Sequence, residues 1–373
     1  MPTLGSNTAE FSAIANSTTA AYVAGRQNNM LRDHPLLDLL RSKGKIIKQN
    51  GGDSRIWSSK HKQKPLQTMA DLTAVTFQRT NRNVQHQLPP RGLFLSDAIS
   101  WWSKQINTGK PALINLVSSM VEDLMEDFED QFPAKLWASG NASGSQEIHG
   151  IDSFTSTSGA LAGNDKVGQC DAEYAGQSCA QGVKAQWDST NWPEGTGKPG
   201  YAYNSPLVQD VNVSYSGATN NWAGNCLRAM KYATLRQANR NKALDCWFLT
   251  TSAYETASNL LETREQIRHE RGKSAEPMFE GGLGPAFKYE NVLVKTGYGI
   301  PESGTDTRGA YTTYGYGVRA SGKDDMEIRH WSPSLIYKFP WDFSIETMSD
   351  RLLLVSMCNL FCKPSAQVKL AGW

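Results

Sequence analysis

"PALINLVSSMVEDLMEDFEDQFPAKLW", residues 111–137, governs how the rest of the chain is read. Leu113, Leu116, Val117, Met120, Val121, Leu124 and Phe128 recur at three- and four-residue steps, which places them on one face of an α-helix. Pro111 suits the first turn, where the N–H that proline lacks would have no partner. The spacing therefore predicts one long helix whose apolar stripe needs a core. Its other face carries Glu122, Asp123, Glu126, Asp127, Glu129 and Asp130, crowded toward the C-terminal end. The macrodipole already presents roughly half a negative charge there, so these carboxylates need cations from elsewhere.

A source of cations lies just upstream. Residues 54–96 hold seven basic side chains (Arg55, Lys60, Lys62, Lys64, Arg79, Arg82, Arg91) against one acid, Asp71, a local balance of +6. Two extended runs, "SRIWSSKHKQK" and "LTAVTFQRTNRNVQHQL", flank a tip containing Pro65 and read as a long hairpin. So little of it is apolar that an isolated hairpin would be poorly stable in water. Residues 1–30 are small and polar, an arm expected to order only by lying on something else. "HPLLDLLRSKGK" follows as a short amphipathic helix burying Leu36, Leu37, Leu39 and Leu40, with Gly44 placed to end it.

Downstream of the long helix, residues 140–221 turn rich in Gly, Ser, Asn and Asp with interspersed Trp, implying short strands and long loops. A helix from about Asn225 to Asn239 leads to the apolar run "LDCWFLTT", of buried-strand length, and to the helix "AYETASNLLETREQIRHE". Its Tyr254, Ala257, Leu260, Leu261, Arg264 and Ile267 include an apolar stripe. Strand candidates follow in "AFKYENVLVKT", "YTTYGYGVRA", "EIRHWSPSLIYKFP" and "RLLLVSMCNLFCKP".

At 373 residues the chain exceeds one ordinary core, and two or three lobes are expected. With 38 Lys plus Arg against 36 Asp plus Glu the net charge is only +2, which argues against a surface built throughout to grip nucleic acid. No apolar run approaches the roughly 20 residues of a bilayer span, and the N-terminus lacks a basic start followed by an apolar block. A soluble chain without an export signal is the expectation. Six scattered cysteines fit a reducing cytosol better than a disulfide framework. Cys170 and Cys179, in a Gly-rich loop, read as two thiols ahead of a bridge or metal pair, and Cys358 and Cys362 as small buried hydrophobes.

Catalytic signatures are absent. "RGKSAE" (271–276) mimics the end of a phosphate loop, but Ile267 stands where its first glycine would be and the upstream segment reads as helix rather than strand. In "TGKPG" (196–200), Pro199 replaces the hydroxyl residue that would hold magnesium. The six histidines (34, 61, 86, 149, 269, 330) form no i, i+4 pair, so they read as solvated or satisfied core residues rather than zinc ligands. No cofactor and no metal are expected. The acidic helix alone would be an ordinary solvated surface, were it not for a basic hairpin of complementary sign in the same chain. An arm, a hairpin and an acidic helix each short of partners point to a chain that assembles with copies of itself.

This order of elements resembles the major capsid proteins of tailed bacteriophages, the Hong Kong 97-type fold. The resemblance rests on the arm to about Gly44, on "SRIWSSKHKQKPLQTMADLTAVTFQ", and on "ISWWSKQINTGKPALINLVSSMVEDLMEDFEDQFPAKLWASG" with its Leu-Trp-x-x-Gly exit. "HGIDSF", "LDCWFLTTSAYETASNLL" and "GPAFKYENVLVKTGYGIP" carry it further. It implies an α+β fold with an N-terminal arm (1–44), an extended β-hairpin loop or E-loop (45–98), a peripheral domain with a long spine helix (99–140 and 325–373), and an axial domain (141–324). The loop-rich stretch at about 160–221 exceeds what a minimal coat needs and reads as an insertion. The implied role is a non-enzymatic coat subunit forming the hexamers and pentamers of an icosahedral head around double-stranded DNA. Such a subunit would reside in the virion, after assembly in the host cytoplasm, with no membrane partner. Its further partners would be a scaffolding, portal or decoration protein, and its contact with packaged DNA would be non-specific. Arg55, Lys60, Lys62, Lys64, Arg79 and Arg82 on the loop, and Glu122, Asp123, Glu126, Asp127, Glu129 and Asp130 on the helix, are the expected inter-subunit contacts. The rival expectation is a loop-rich secreted or surface carbohydrate-binding module using Trp187, Trp192 and Trp222 as stacking platforms.

Overall fold

Helical periodicity between 111 and 137 and alternating apolar runs near both ends give a mixed α+β chain. The computed structural model describes residues 34–60, 77, 83–106, 110–141, 146–155, 167–168, 170, 173–179, 205–212, 221–239, 241–264, 286–306, 309–323, 325–339, 342–344 and 348–373. The N-terminal arm, most of the hairpin centre, "TGKPG" and "RGKSAE" lie outside these residues.

In chain order the elements begin with α1 (Pro35–Ser42), β1 (Ile46–Lys48), β2 (Arg55–Lys60), β3 (Asn83–Leu88), β4 (Arg91–Ser100), α2 (Trp101–Ile106) and α3 (Lys110–Trp137). The middle of the chain gives α4 (Asp152–Thr155), β5 (Val167–Gly168), β6 (Glu173–Tyr174), β7 (Gln177–Ser178), β8 (Leu207–Asp210), α5 (Trp222–Asn239), β9 (Cys246–Leu249) and α6 (Thr251–Arg264). The rest is β10 (Ala286–Tyr289), β11 (Val292–Thr296), β12 (Ser303–Asp306), β13 (Gly309–Val318), β14 (Met326–His330), β15 (Tyr337–Lys338), β16 (Asp342–Ser344), β17 (Ser349–Cys362) and β18 (Val368–Gly372). Two compact units emerge: of the described residues, 93–132 and 336–356 make one, and 34–92, 133–335 and 357–373 the other.

The larger unit is organised by an eight-stranded sheet in the order β10-β11-β9-β13-β18-β8-β5, with β12 on β13. β9 pairs in parallel with β11, and β8 with β18. Helices α5 and α6 pack on this sheet through Cys226, Ala229, Met230, Ala233, Ala253 and Ala257, which meet Trp247, Leu249, Val294, Val368 and Leu370 in one apolar cluster. Small residues on the helices let them approach the strands closely. "AFKYENVLVKT", read as one run, is a hairpin: Glu290 and Asn291 take φ of 48° and 64°, the two left-handed residues that a tight turn between twisted strands requires.

Trp137, the last residue of α3, stacks on Tyr316 with ring centroids 5.5 Å apart and meets Phe248 edge-on at 5.5 Å. The helix exit is tight. Ile151 N–H donates to Leu136 O at 2.8 Å, and a Cβ on Gly150 would stand 2.4 Å from Ala138 O, so only glycine fits. From α4, Asp152 Oδ1 accepts a hydrogen bond from Lys369 Nζ at 2.6 Å, and the lysine side chain is wholly buried. Burial alone would lower the lysine pKa; the Asp152 carboxylate, followed by Tyr311, outweighs it and holds the pKa above the usual value. At the other end, α1 closes with the paired bonds Lys45 N–H to Leu40 O and Gly44 N–H to Arg41 O, with Gly44 at φ +63°. Leu36, Leu37 and Leu40 are buried as expected, while Leu39 is half-buried. β1 then runs parallel to β14, and Glu327 on β14 pairs with Arg329 and Lys45.

The smaller unit is thinner. β15 and β16 pair antiparallel with the first part of β17, and β4 also pairs with β17. Among the described residues, Ile99, Met120, Leu124, Leu352 and Leu354 form one buried cluster, with Leu95, Val121, Met125 and Ile336 half-buried around it.

Candidate assembly surfaces

Two surfaces need constructing: the root of the β2–β3 ribbon and the faces of the smaller unit. β2 and β3 pair antiparallel from Arg55 with Leu88 to Lys60 with Asn83. Alternation sends Trp57 and His86 to the same side as directly opposed partners. Their rings stack 5.0 Å apart and 6° from parallel, and Trp57 meets Phe361 edge-on at 4.6 Å. Ser59 Oγ lies 2.5 Å from His86 Nε2. Gln87 N–H donates to Ala175 O at 3.1 Å, and Gln177 Nε2 to Gln85 O at 3.0 Å. Tyr174, behind this stack, accepts from Cys362 N–H at 3.0 Å and donates to Leu360 O at 2.6 Å. The hairpin thus has what its composition did not promise, an aromatic root inside its own subunit. The reason lies in Trp57, His86 and Leu88, which share a face and are supplied with partners from distant Tyr174 and Phe361.

His149 meets Tyr174 edge-on at 5.6 Å, and His86 stacks on Trp57, itself 6.3 Å from the Tyr174 ring. Burial pushes the His86 pKa down to about 4, and burial together with the Arg91 charge does the same for His149. Both imidazoles are therefore neutral at pH 7. Arg91 itself donates to the carbonyls of Gly140, at 2.7 Å, and Glu147. Asn359 accepts from His149 N–H at 2.9 Å and donates to Pro89 O at 2.9 Å.

Of the basic residues expected at contacts, Arg55 has its guanidinium 5.6 Å over the Phe361 ring. Lys60 ends β2, and Lys62, Lys64, Arg79 and Arg82 lie outside the described residues. Phe77 is exposed. Of the acidic set, Glu122 is exposed and Asp123, Glu126, Asp127, Glu129 and Asp130 are half-buried. The opposite face of α3 buries Met120, Leu124 and Phe128 of the expected stripe, with Val121 half-buried, and continues through Phe132 and Leu136, while the side chains of Leu113, Leu116 and Val117 lie outside the described residues. Helix α3 runs unbroken through Pro133, whose missing N–H leaves the helical bond to Glu129 O unmade.

The smaller unit also exposes large apolar side chains. Phe94 and Trp102 leave 71% and 69% of their surface in solvent, and Trp101, Ile106, Phe339 and Met348 are exposed as well. Trp101 N–H donates to Met348 O at 2.8 Å, and the rings of Trp101 and Trp102 meet edge-on at 5.4 Å. Sequence periodicity did not single these out. The signal was there in "ISWWSK": neighbouring residues on a helix diverge by about 100°, so two consecutive tryptophans cannot both enter a narrow core.

Elsewhere the structure corrects or locates other expectations. Trp222, the platform of the rival carbohydrate reading, is buried; its Nε1–H donates to Ala253 O at 3.0 Å and its ring stacks on Tyr314 at 4.5 Å. It closes the core beneath α6, while Trp187 and Trp192 lie outside the described residues. All six cysteines are buried thiols, and burial raises the pKa of Cys179 and Cys362. Among the described residues no cluster of three or more His, Cys, Asp or Glu is placed to hold a metal ion, and no helix is long and apolar enough to cross a membrane.

No protein-family model matches the sequence, and no curated protein matches it. Solved structures do. A chain of the Cyanophage A-1(L) capsid asymmetric unit superposes with a TM-score of 0.56 at 15% identity, covering 96% of this chain and 98% of that one. A chain from the capsid of the empty GTA particle gives 0.52 at 11% identity, with 94% and 99% covered. One from the capsid of Cyanophage P-SCSP1u gives 0.51 at 10%, with 94% and 91% covered. At such identities the likeness is one of fold: the chain is built as these capsid chains are, along nearly its whole length.

Proposed function

We propose that this chain is the major capsid protein of a tailed bacteriophage, a structural and non-enzymatic coat subunit that closes an icosahedral head around double-stranded DNA. The observation that carries the reading is the mutual coverage: 96% of this chain and 98% of a cyanophage capsid chain share one fold. In the Hong Kong 97-type layout, residues 1–44 form the arm, 45–98 the E-loop, 99–140 and 325–373 the peripheral domain with its spine helix, and 141–324 the axial domain with its insertion at about 160–221.

Hexamers and pentamers would be joined by the ribbon of one copy, through Arg55, Lys60, Lys62, Lys64, Arg79 and Arg82, lying on the acidic face of a neighbour at Glu122, Asp123, Glu126, Asp127, Glu129 and Asp130. The exposed pair Trp101 and Trp102 adds the desolvated aromatic anchor that charge alone does not supply. Individually modest contacts become strong through repetition around a closed shell. A scaffolding, portal or decoration protein would join at the head, which assembles in host cytoplasm and persists in the virion.

The test is expression of the full chain, alone and with a candidate scaffolding protein, followed by light scattering and negative-stain microscopy. Shells or capsomers are the expected products. A monodisperse monomer under every assembly condition would sink the reading.

A further inference from the structure

With two residues in each strand, the β6–β7 hairpin is too short to be stable by itself, yet it stands against the root of the ribbon. One side of it is fixed. Tyr174 OH donates to Leu360 O at 2.6 Å and accepts from Cys362 N–H at 3.0 Å, and its ring meets Phe154 edge-on at 5.4 Å. The other side reaches β3. Backbone groups of alternate residues point to alternate edges of a strand, so Gln85 and Gln87 share an edge. The hairpin takes that edge: Ala175 O accepts from Gln87 N–H at 3.1 Å, and Gln177 Nε2 donates to Gln85 O at 3.0 Å. The residue that supplies the carbonyl is itself in an unfavourable conformation. Ala175 and Gly176 form the two-residue turn between Tyr174 and Gln177, with φ of 54° and 71°. Such a turn suits Asn-Gly or Gly-Gly, and the alanine Cβ is penalised there. Gly176 is exposed, and a Cβ added to it would meet nothing within 4 Å.

We infer that the β6–β7 hairpin is a releasable clamp on the ribbon: Tyr174 fixes it to β17, while its strained turn grips the outer edge of β3 and sets the direction in which the ribbon leaves the subunit. The ribbon has two attachments of different kinds. Trp57, stacked on His86 and edge-on to Phe361, is an apolar pivot that tolerates a change of angle. Hydrogen bonds are directional and do not, so a turn of the ribbon must open the pair at Gln85 and Gln87. Opening them also relieves Ala175, which brings the held and released states close in free energy. In the coat-subunit reading, on which this last step rests, copies in pentamers and hexamers meet at different angles. A ribbon that can be re-aimed at its root accommodates both.

Hydrogen exchange of the full-length, unassembled chain, read by mass spectrometry with the Gln87 amide resolved, tests the clamp. Gly176→Ala adds left-handed strain without a clash and should speed exchange at Gln87 by about fivefold or more. Gln177→Ala removes one of the hydrogen bonds and should speed it by about two- to tenfold. Ala175→Gly relieves the strain and should slow it. The control Thr256→Ala, on α6, removes a side-chain bond to Ser252 O within that helix and should leave β3 unchanged. Faster exchange confined to residues 173–178 would overturn the inference, because the hairpin would then lean on the ribbon without holding it. So would a uniform rise that includes the central strand β9, which would report lost stability of the whole unit. In shells, Gly176→Ala should widen the spread of diameters under negative-stain microscopy, and a spread equal to that of the wild type would strike out the role in assembly. Failure of the wild-type chain to form shells would count against the coat reading, whereas exchange in the unassembled chain reports on the clamp separately.

Discussion

Trp247 and Trp102 belong to different units and live in opposite circumstances. Trp247, on the central strand β9 of the larger unit, has none of its surface in solvent, while Trp102 of the smaller unit leaves more than half exposed. The contrast extends to whole regions. The larger unit closes two helices on an eight-stranded sheet, buries a lysine only where Asp152 meets it, and roots its ribbon in Trp57, His86 and Phe361. Among the described residues, the smaller unit has a buried cluster of five residues and shows solvent two tryptophans, two phenylalanines, an isoleucine and a methionine. A region that satisfies its own apolar and charged groups is stabilised by folding; one that leaves them outside is completed by association.

That division predicts where substitutions act. The largest effect on folding should come from Asp152→Ala, which leaves the Lys369 ammonium buried without its counter-charge at a cost of about 3–5 kcal/mol. Urea denaturation of the purified chain measures it, and a loss under about 1 kcal/mol would mean that the larger unit is less closed than its contacts imply.

Acid should act next, through His86 and His149. Their pKa values are lowered from 6.5 to about 4, so the unfolded chain takes up protons in this window that the folded chain refuses. Their contribution is complete above about pH 6.5 and is lost as pH falls toward 4, by on the order of 2–3 kcal/mol per histidine. The urea midpoint should drop accordingly, and His86→Asn should remove part of that slope. A midpoint flat across the window would contradict the buried, neutral imidazoles at the ribbon root.

Trp102→Ser should sharpen the comparison from the other side. Folding stability of the isolated chain should change by less than about 0.5 kcal/mol, as at ordinary surface sites. Assembly followed by light scattering should weaken by about 2 kcal/mol per contact, the scale of an aromatic hot spot. Loss of folding instead of assembly would place Trp102 in the wrong category. The smallest single effect belongs to Glu126→Gln, at about 0.2–1 kcal/mol for one surface pair. It should be visible as a shift in the salt dependence of assembly, and indifference to salt would remove α3 from the proposed contact.

Much of this was legible before any coordinates. The stripe on α3, the leucines of α1, the strand at "LDCWFLTT" and the antiparallel ribbon all follow from local spacing, because periodicity reports which side of an element avoids water. What escaped did so for one reason. β8 and β18, "LVQD" and "VKLAG", carry Gln209, Asp210 and Lys369 inside the fold, and polar residues in a strand read as surface until their partners are known. Gln209 finds Ala229 O at 3.0 Å, and Lys369 finds Asp152, 217 residues away. The hairpin misled in the same manner, its anchors being Tyr174 and Phe361.

By itself, then, the amino-acid order set the elements, their apolar faces and the opposed charges of ribbon and helix, since these depend on neighbours within a turn or a strand. Only tertiary structure decided which polar groups are buried, which tryptophans are core and which face outward. Those outcomes depend on partners brought from far along the chain, and desolvation is offset only where such a partner arrives.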